Sequence, residues 1–215
     1  MIIGIAGRKR VGKNFVAEVI AGFMKQYQDV KLVAFADPIK RYCHEVLGID
    51  KVYLWGDGDK NSKTQYLWES FEMGTIGRSG MNMSHPPGCP PVVIRNGPMT
   101  VREIMQVVGT ELGRNLWGKD IWINAMHHQL EHVDSVVDSW IITDVRMINE
   151  AQAVHRWGGI MIRVDGAPRG GDGSVDTHET ETKVDSLEVD AIIDNGPGMT
   201  REGIEAQARK ILKWE

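Results

Sequence analysis

Gly7-Arg-Lys-Arg-Val-Gly12-Lys13-Asn14 follows directly on the apolar run Ile2-Ile-Gly-Ile-Ala6. Glycine, four residues, glycine and lysine is the spacing of a phosphate-binding loop. Gly7 and Gly12 let the backbone turn so that the N–H groups of Arg10, Val11, Gly12 and their neighbours form an anion nest. The helix behind adds its positive dipole end, and Lys13 reaches the β- and γ-phosphates. Asn14 departs from the motif, where a Ser or Thr hydroxyl normally contacts Mg²⁺. Its amide oxygen could bind the ion directly or through water.

Other residues fit the same chemistry, each with a plainer alternative. Asp144 ends a hydrophobic stretch, as a Walker-B carboxylate holding Mg²⁺ would, or else it caps the next turn. Arg146, two residues on, reads as a bidentate phosphate clamp or a surface ion pair. Arg102 and Arg114 flank the Met105–Gly113 segment and could grip a second anion, or be solvated. Lys40 is balanced between an acceptor phosphate and solvent, and Asp37 between an N-cap and a place near that phosphate or a metal-bound water. Gln106 could read a base edge through two hydrogen bonds. Trp68 and Trp122 could stack on a base, against core packing. Arg163 and Arg169 bracket a stretch where a closing arginine would sit. His178 and Glu181 read as solvated loop residues. Asn195 and Gly196 form either a backbone cradle for adenine or a plain strand-to-helix turn.

Strands alternating with helices must position these groups. Phe15, Val16, Val19, Ile20 and Phe23 recur at helical spacing behind the loop. Lys31–Phe35 reads as a second strand, and Asp37-Pro38 as N-cap and first residue of a helix. Thr100-Val-Arg-Glu103 is a capping box. A further helix starts near Asp120, burying Ile121, Trp122, Ala125 and Met126. Trp140–Thr143 is a strand, a helix runs through Ala151 and Val154, and Ile160–Val164 and Ala191–Ile193 complete the strands. Thr200 caps the last helix. This order implies a parallel sheet with right-handed crossovers.

Residues 50–99 show little periodicity and are rich in Gly, Pro, Met and Trp. They read as an insert with a small core of Tyr66, Leu67, Trp68 and Phe71, since a structureless loop of that length is unusual.

At 215 residues the chain is one α/β domain or one core with an insert, and its 42% hydrophobic content suffices for a buried core. A net charge of −4 argues against a non-specific nucleic-acid or membrane binder. Only two cysteines are present, Cys43 and Cys89, so a reduced cytosolic setting is expected. His85 with Cys89 makes a poor metal site. No apolar run reaches membrane-spanning length.

The ordered set Gly7–Asn14, Phe35-Ala-Asp-Pro-Ile-Lys40, Arg102–Thr110, Asp120-Ile-Trp122, Thr143-Asp-Val-Arg146 with Asn149-Glu150, Asp176–Glu181 and Ile193-Asp-Asn-Gly196 resembles the deoxynucleoside monophosphate kinases of tailed bacteriophages. These belong to the P-loop nucleoside/nucleotide kinase superfamily. The resemblance implies a P-loop NTPase three-layer sandwich with a five-stranded parallel sheet. It further implies an acceptor-binding insert over about 48–132 and a lid over about 165–185, within a single kinase domain spanning 1–215. By that likeness the γ-phosphoryl group of ATP passes to a deoxynucleoside 5′-monophosphate, giving the diphosphate. Lys13 and the loop amides hold ATP, Asp144 serves Mg²⁺, and Asn195 lies by the adenine. Arg102, Arg146 and Lys40 hold the acceptor. Expected partners are small nucleotides, not nucleic acid or membrane, with homodimer formation left open and the host cytoplasm as the setting. The competing readings are another phosphorylated acceptor (dephospho-coenzyme A or a modified nucleotide) and a non-catalytic ATP-binding regulatory module, which Asn14 favours. A dinucleotide oxidoreductase fits worse, because the glycine spacing is not G-x-G-x-x-G.

Overall fold

The computed structural model describes residues 1–69, 96–133, 137–167 and 184–214. Phe71, His85, Cys89, Arg169, His178 and Glu181 lie outside them, as does most of the expected lid. The described residues form two compact units, one of Met1–Pro38 with Asp120–Glu215 and one of Ile39–Lys119.

The first unit is built on five parallel strands in the order β2-β5-β1-β6-β7. They are β1 (Ile2–Ala6), β2 (Val30–Val33), β5 (Ser139–Val145), β6 (Ile160–Asp165) and β7 (Ala191–Asp194). The central strand sits between two partners, with Ile3 opposite Ile141 on one side and Ile160 on the other. Alternation sends side chains to both faces. Ile3, Ile5, Ile141, Ile162 and Val164 pack with Val16, Ile20 and Phe23 of α1 (Lys13–Met24) and with Ile204 and Ala208 of the last helix (Arg201–Leu212). Trp140, Ile142 and Met161 face the other way, against Ile123 and Met126 of a helix over Ile121–His128 and Ala151 and Val154 of a helix over Ile148–Arg156. Sheet between two helical layers is the expected three-layer architecture. Each of Ile3, Ile5, Ile141 and Ile162 is fully buried, contributing about 1.5–3 kcal/mol of hydrophobic stabilisation.

Two local expectations change. β2 stops at Val33, because the chain turns there: Ala34 N–H donates to Asp37 Oδ2 at 2.7 Å and Asp37 N–H to Ala34 O at 2.8 Å. The Asp37 carboxylate therefore closes the turn ahead of α2 (Asp37–Glu45), and Asp37 is that helix's first residue.

The second unit has a hairpin that periodicity did not reveal, pairing β3 (Lys63–Leu67) antiparallel with β4 (Pro98–Thr100). Polar bonds hold it: Thr64 Oγ1 donates to Met99 O at 2.9 Å and Tyr66 Oη to Leu47 O at 2.7 Å. Strand alternation turns Leu67 outward, 42% exposed, and so removes it from the small core expected there. Thr100 caps the helix Val101–Gln106, with the full capping box to Glu103. The helix widens into a π-helix over Val107–Asn115, so burial falls on Val107, Val108, Gly109 and Gly113, while Met105 is only half-buried. Among the described residues, no helix is long and apolar enough to cross a membrane.

Candidate active site

Open α/β sheets bind ligands beyond the carboxyl ends of their strands, and β1 delivers Gly7 there. Gly7 and Gly12 adopt φ 153° and 88°, and Arg10 holds φ 65°. A non-glycine residue there costs about 1–2 kcal/mol, which the surrounding structure must offset. Val11, 2% exposed, anchors the loop in the core, and α1 starts at Lys13.

The Lys13 ammonium donates to Gly7 O at 2.9 Å and Arg8 O at 2.8 Å, and lies 3.8 Å from Asp144 Oδ1. Its side chain is 10% exposed, so the charge is held at the mouth of the nest. Asp144 Oδ2 accepts from Arg146 Nε at 2.9 Å. Asp144 Oδ1 is buried, and among the described residues no hydrogen bond reaches it. A buried carboxylate oxygen without a hydrogen bond is costly, and its chemistry suits a hard cation. Among the described residues no three acidic, His or Cys side chains cluster as metal ligands. One carboxylate completed by phosphate oxygens and water is how Mg²⁺ is usually held. Asn14 is exposed beside Lys13.

Arg146 is set by its own turn. Glu150, 5% exposed, accepts from the backbone N–H of Arg146 at 2.9 Å and of Met147 at 3.1 Å. Glu150 has a positioning part that its sequence place alone did not reveal, though a carboxylate five residues past the strand end at Val145 is the signal. Asn149 Nδ2 donates to Asp120 Oδ1 at 2.8 Å, tying two helix starts together.

Asn195 lies beneath the loop, 1% exposed, with Nδ2 donating to Val11 O at 2.7 Å. Its own N–H donates to Asp165 O at 2.7 Å. Gly196 N–H closes a turn onto Asp194 Oδ1 at 2.9 Å.

Beside the loop is a cavity of about 390 Å³ lined by Arg8, Val11, Arg163, Asp165, Gly166 and Asp185. Arg8 forks onto Asp185, with Nε 3.2 Å from Oδ1. Arg8's hydrogen bond holds the Asp185 carboxyl below the usual carboxylate range. Arg163 pairs with Asp165 at 2.8 Å and forms part of this wall. Arg8 and Asp185 were not singled out by sequence, because they sit 177 positions apart.

In the second unit, Arg102 and Gln106 are exposed, Arg114 is half-buried and Trp68 is 7% exposed, hydrogen-bonded to Glu103. Thr100's N–H holds the Glu103 carboxyl below its ordinary value, and the Trp68 bond adds to that. Trp122, in the first unit, is likewise buried. Lys40 Nζ lies 5.7 Å from the centre of the Trp55 ring.

Comparison with known proteins adds four findings. The family model described as deoxynucleotide monophosphate kinase matches residues 89–201. A putative deoxynucleotide monophosphate kinase of Acanthamoeba polyphaga mimivirus is 26% identical over 199 residues, covering 87% of this chain and 83% of that protein. The deoxynucleotide monophosphate kinase of Escherichia phage RB69 is 28% identical over 119 residues, covering 55% of this chain and 47% of that one. A solved shikimate kinase from Bacteroides thetaiotaomicron overlaps 99% of this chain and 97% of its own, at a TM-score of 0.41 and 12% identity. That overlap is too loose to bear on function.

Proposed function

Since this chain belongs to the deoxynucleotide monophosphate kinase family, and is a nucleotide phosphotransferase, we propose that it takes the γ-phosphoryl group from ATP bound at the Gly7–Asn14 loop and delivers it to a deoxynucleoside 5′-monophosphate. The observation that carries this reading is the triad of contacts around Lys13: two loop carbonyls and, 3.8 Å away, the buried Asp144 Oδ1.

Phosphates entering the nest offer Lys13 stronger, charge-assisted acceptors than Gly7 O and Arg8 O. Lys13 then follows the γ-phosphate while the amides of Arg10, Val11, Gly12 and Asn14 take the β-phosphate. Asp144 and Asn14 would hold Mg²⁺, which neutralises charge on the β- and γ-oxygens. Arg146, released from Asp144, clamps the transferring group in a planar fork.

The acceptor needs no strong base. A phosphate monoester has a second pKa of about 6, so its oxygen is already nucleophilic near neutrality. Positioning and charge neutralisation are what the chain must supply. Asp37, tied to the turn at Ala34, orders that edge rather than abstracting a proton. The Ile39–Lys119 unit supplies Lys40, Arg102 and Arg114 for the acceptor phosphate, with Gln106 and Trp68 as base-selecting residues. The cavity at Arg8, Arg163 and Gly166 takes the nucleoside of ATP, with the backbone of Asn195 and Gly196 packed behind Gly166. Viral relatives point to action in the cytoplasm of an infected cell.

The test is ADP formation with ATP, Mg²⁺ and each of the four deoxynucleoside monophosphates. Turnover that depends on one or more of them is expected. ADP released at the same rate without acceptor removes the reading.

A further inference from the structure

Gln207, on the last helix, reaches the open edge of the sheet. β7 pairs with β6, setting Ile193 opposite Val164 and Asp194 opposite Asp165, and among the described residues it is the outermost strand on that side. Edge strands leave backbone N–H and C=O groups without a partner strand. At Asp194 the side chain of Gln207 takes the partner's place: Oε1 accepts from Asp194 N–H at 2.9 Å, and Nε2 donates to Asp194 O at 3.0 Å. A side-chain amide carries one acceptor and a donor group, as a peptide unit does, so it can satisfy both sides of one residue.

The place of this clamp gives it a bearing on the site. Asp194 is the last residue of β7, and Asn195 follows it. Asn195 turns inward, with its N–H donating to Asp165 O and its Nδ2 to Val11 O, each at 2.7 Å. A Cβ on Gly166 would stand 2.6 Å from Asn195 O. The residue beside the clamp therefore supports both the bend of the phosphate loop and the cavity wall at Asp165 and Gly166. Strand ends are the first parts of a sheet to open. Here the end is held from inside by Asp165 and from outside by Gln207.

We propose that Gln207 is a positioning residue for the phosphoryl donor: by closing the outer edge of β7 at Asp194 it holds Asn195 against Val11 O, and so sets the affinity of the Gly7–Asn14 loop for ATP. The action runs through two printed-length hydrogen bonds to the backbone and one buried amide, and it needs no contact between Gln207 and the nucleotide. This inference rests on the reading of that loop as the ATP site. It extends the donor machinery to a helix whose sequence pattern marks it only as a covering layer of the sheet.

The test uses the full chain with Gln207→Met, which keeps the length and removes both bonds, and Gln207→Glu, which keeps the acceptor and loses the donor. Asn195→Ala, its combination with Gln207→Met, and Lys210→Met at an exposed position of the same helix complete the set. In calorimetry Gln207→Met weakens ATP binding about threefold to tenfold, the loss of two neutral hydrogen bonds felt at one remove. Gln207→Glu shifts it in the same direction, and Lys210→Met matches the wild type. KM for the acceptor stays within about twofold of wild type in each variant at position 207, which separates a donor brace from general loosening. The double variant binds ATP scarcely more weakly than Asn195→Ala alone, because both substitutions act on one brace. Hydrogen exchange reads that brace without nucleotide: the Val11–Asn14 amides exchange faster in Gln207→Met than in wild type or Lys210→Met. Unchanged ATP affinity in Gln207→Met, losses that multiply in the double variant, an equal rise in acceptor KM, or unchanged loop exchange overturns the assignment. A wild type that binds no ATP removes the kinase reading, and the loop exchange still decides whether Gln207 braces the loop.

Discussion

Asn195 donates its Nδ2 to the carbonyl of Val11 at 2.7 Å, joining the end of the edge strand β7 to the bend of the phosphate loop. A Cβ placed on Gly12 would stand 2.4 Å from the same Nδ2. The amide thus occupies the space that glycine leaves, and it holds the left-handed turn from which α1 begins. In the proposed reading Asn195 acts on ATP through the loop it braces.

Asn195→Ala strips a buried carbonyl of its donor, at a cost of about 1–3 kcal/mol in stability. KM for ATP is expected to rise about tenfold with KM for the acceptor little changed. Urea denaturation and initial-rate kinetics measure the two effects, and an acceptor-only change would contradict the brace. Gly12→Ala combines that clash with φ 88°, and loses about 1–3 kcal/mol in addition to ATP binding.

Lys13→Ala should leave the fold intact, since its hydrogen-bond partners Gly7 O and Arg8 O belong to a loop anchored by Val11 and Asn195. Removing a charge aimed at the transferring phosphate lowers kcat by about 10²–10³ or more. Circular dichroism with a coupled ADP assay tests both halves. Near-normal turnover would take Lys13 out of its role.

Asp144→Asn keeps the shape and removes the charge facing Lys13. The apparent Mg²⁺ requirement is expected to rise by about tenfold or more, and saturating Mg²⁺ to restore part of the rate. An Mg²⁺ titration at fixed ATP reads this directly. An unchanged midpoint would leave Asp144 its pairings with Arg146 and Lys13.

Cys43 offers a test of the fold by pH. It is fully buried, and burial pushes its thiol from the ordinary 9.0 up to about 11. The folded value is raised, so the associated stability is complete below about pH 9 and is lost as pH rises toward 11. Unfolding midpoints should fall across that window and recover in Cys43→Ala when compared with its own value at pH 8. Alkylation at pH 8 should mark Cys43 only after denaturation, as mass spectrometry would show.

The amino-acid sequence by itself determined what depends on near neighbours. The glycine spacing specified the loop, helical and strand periods specified the layers, and Thr100 and Thr200 marked helix starts that the structure retains. Even locally it misled where a side chain had two partners within reach, as Asp37 did in turning back to Ala34. Tertiary structure alone decided which distant groups meet. Parallel pairing of β6 with β7 sets Asp165 opposite Asp194, and so carries Asn195 under Val11 across 184 positions. Backbone bonds from Val101 and Arg102 lay residues 60–62 along the start of a helix far along the chain. Strand register and hairpin pairing are cooperative outcomes of burying whole faces at once, and no short stretch of residues encodes them.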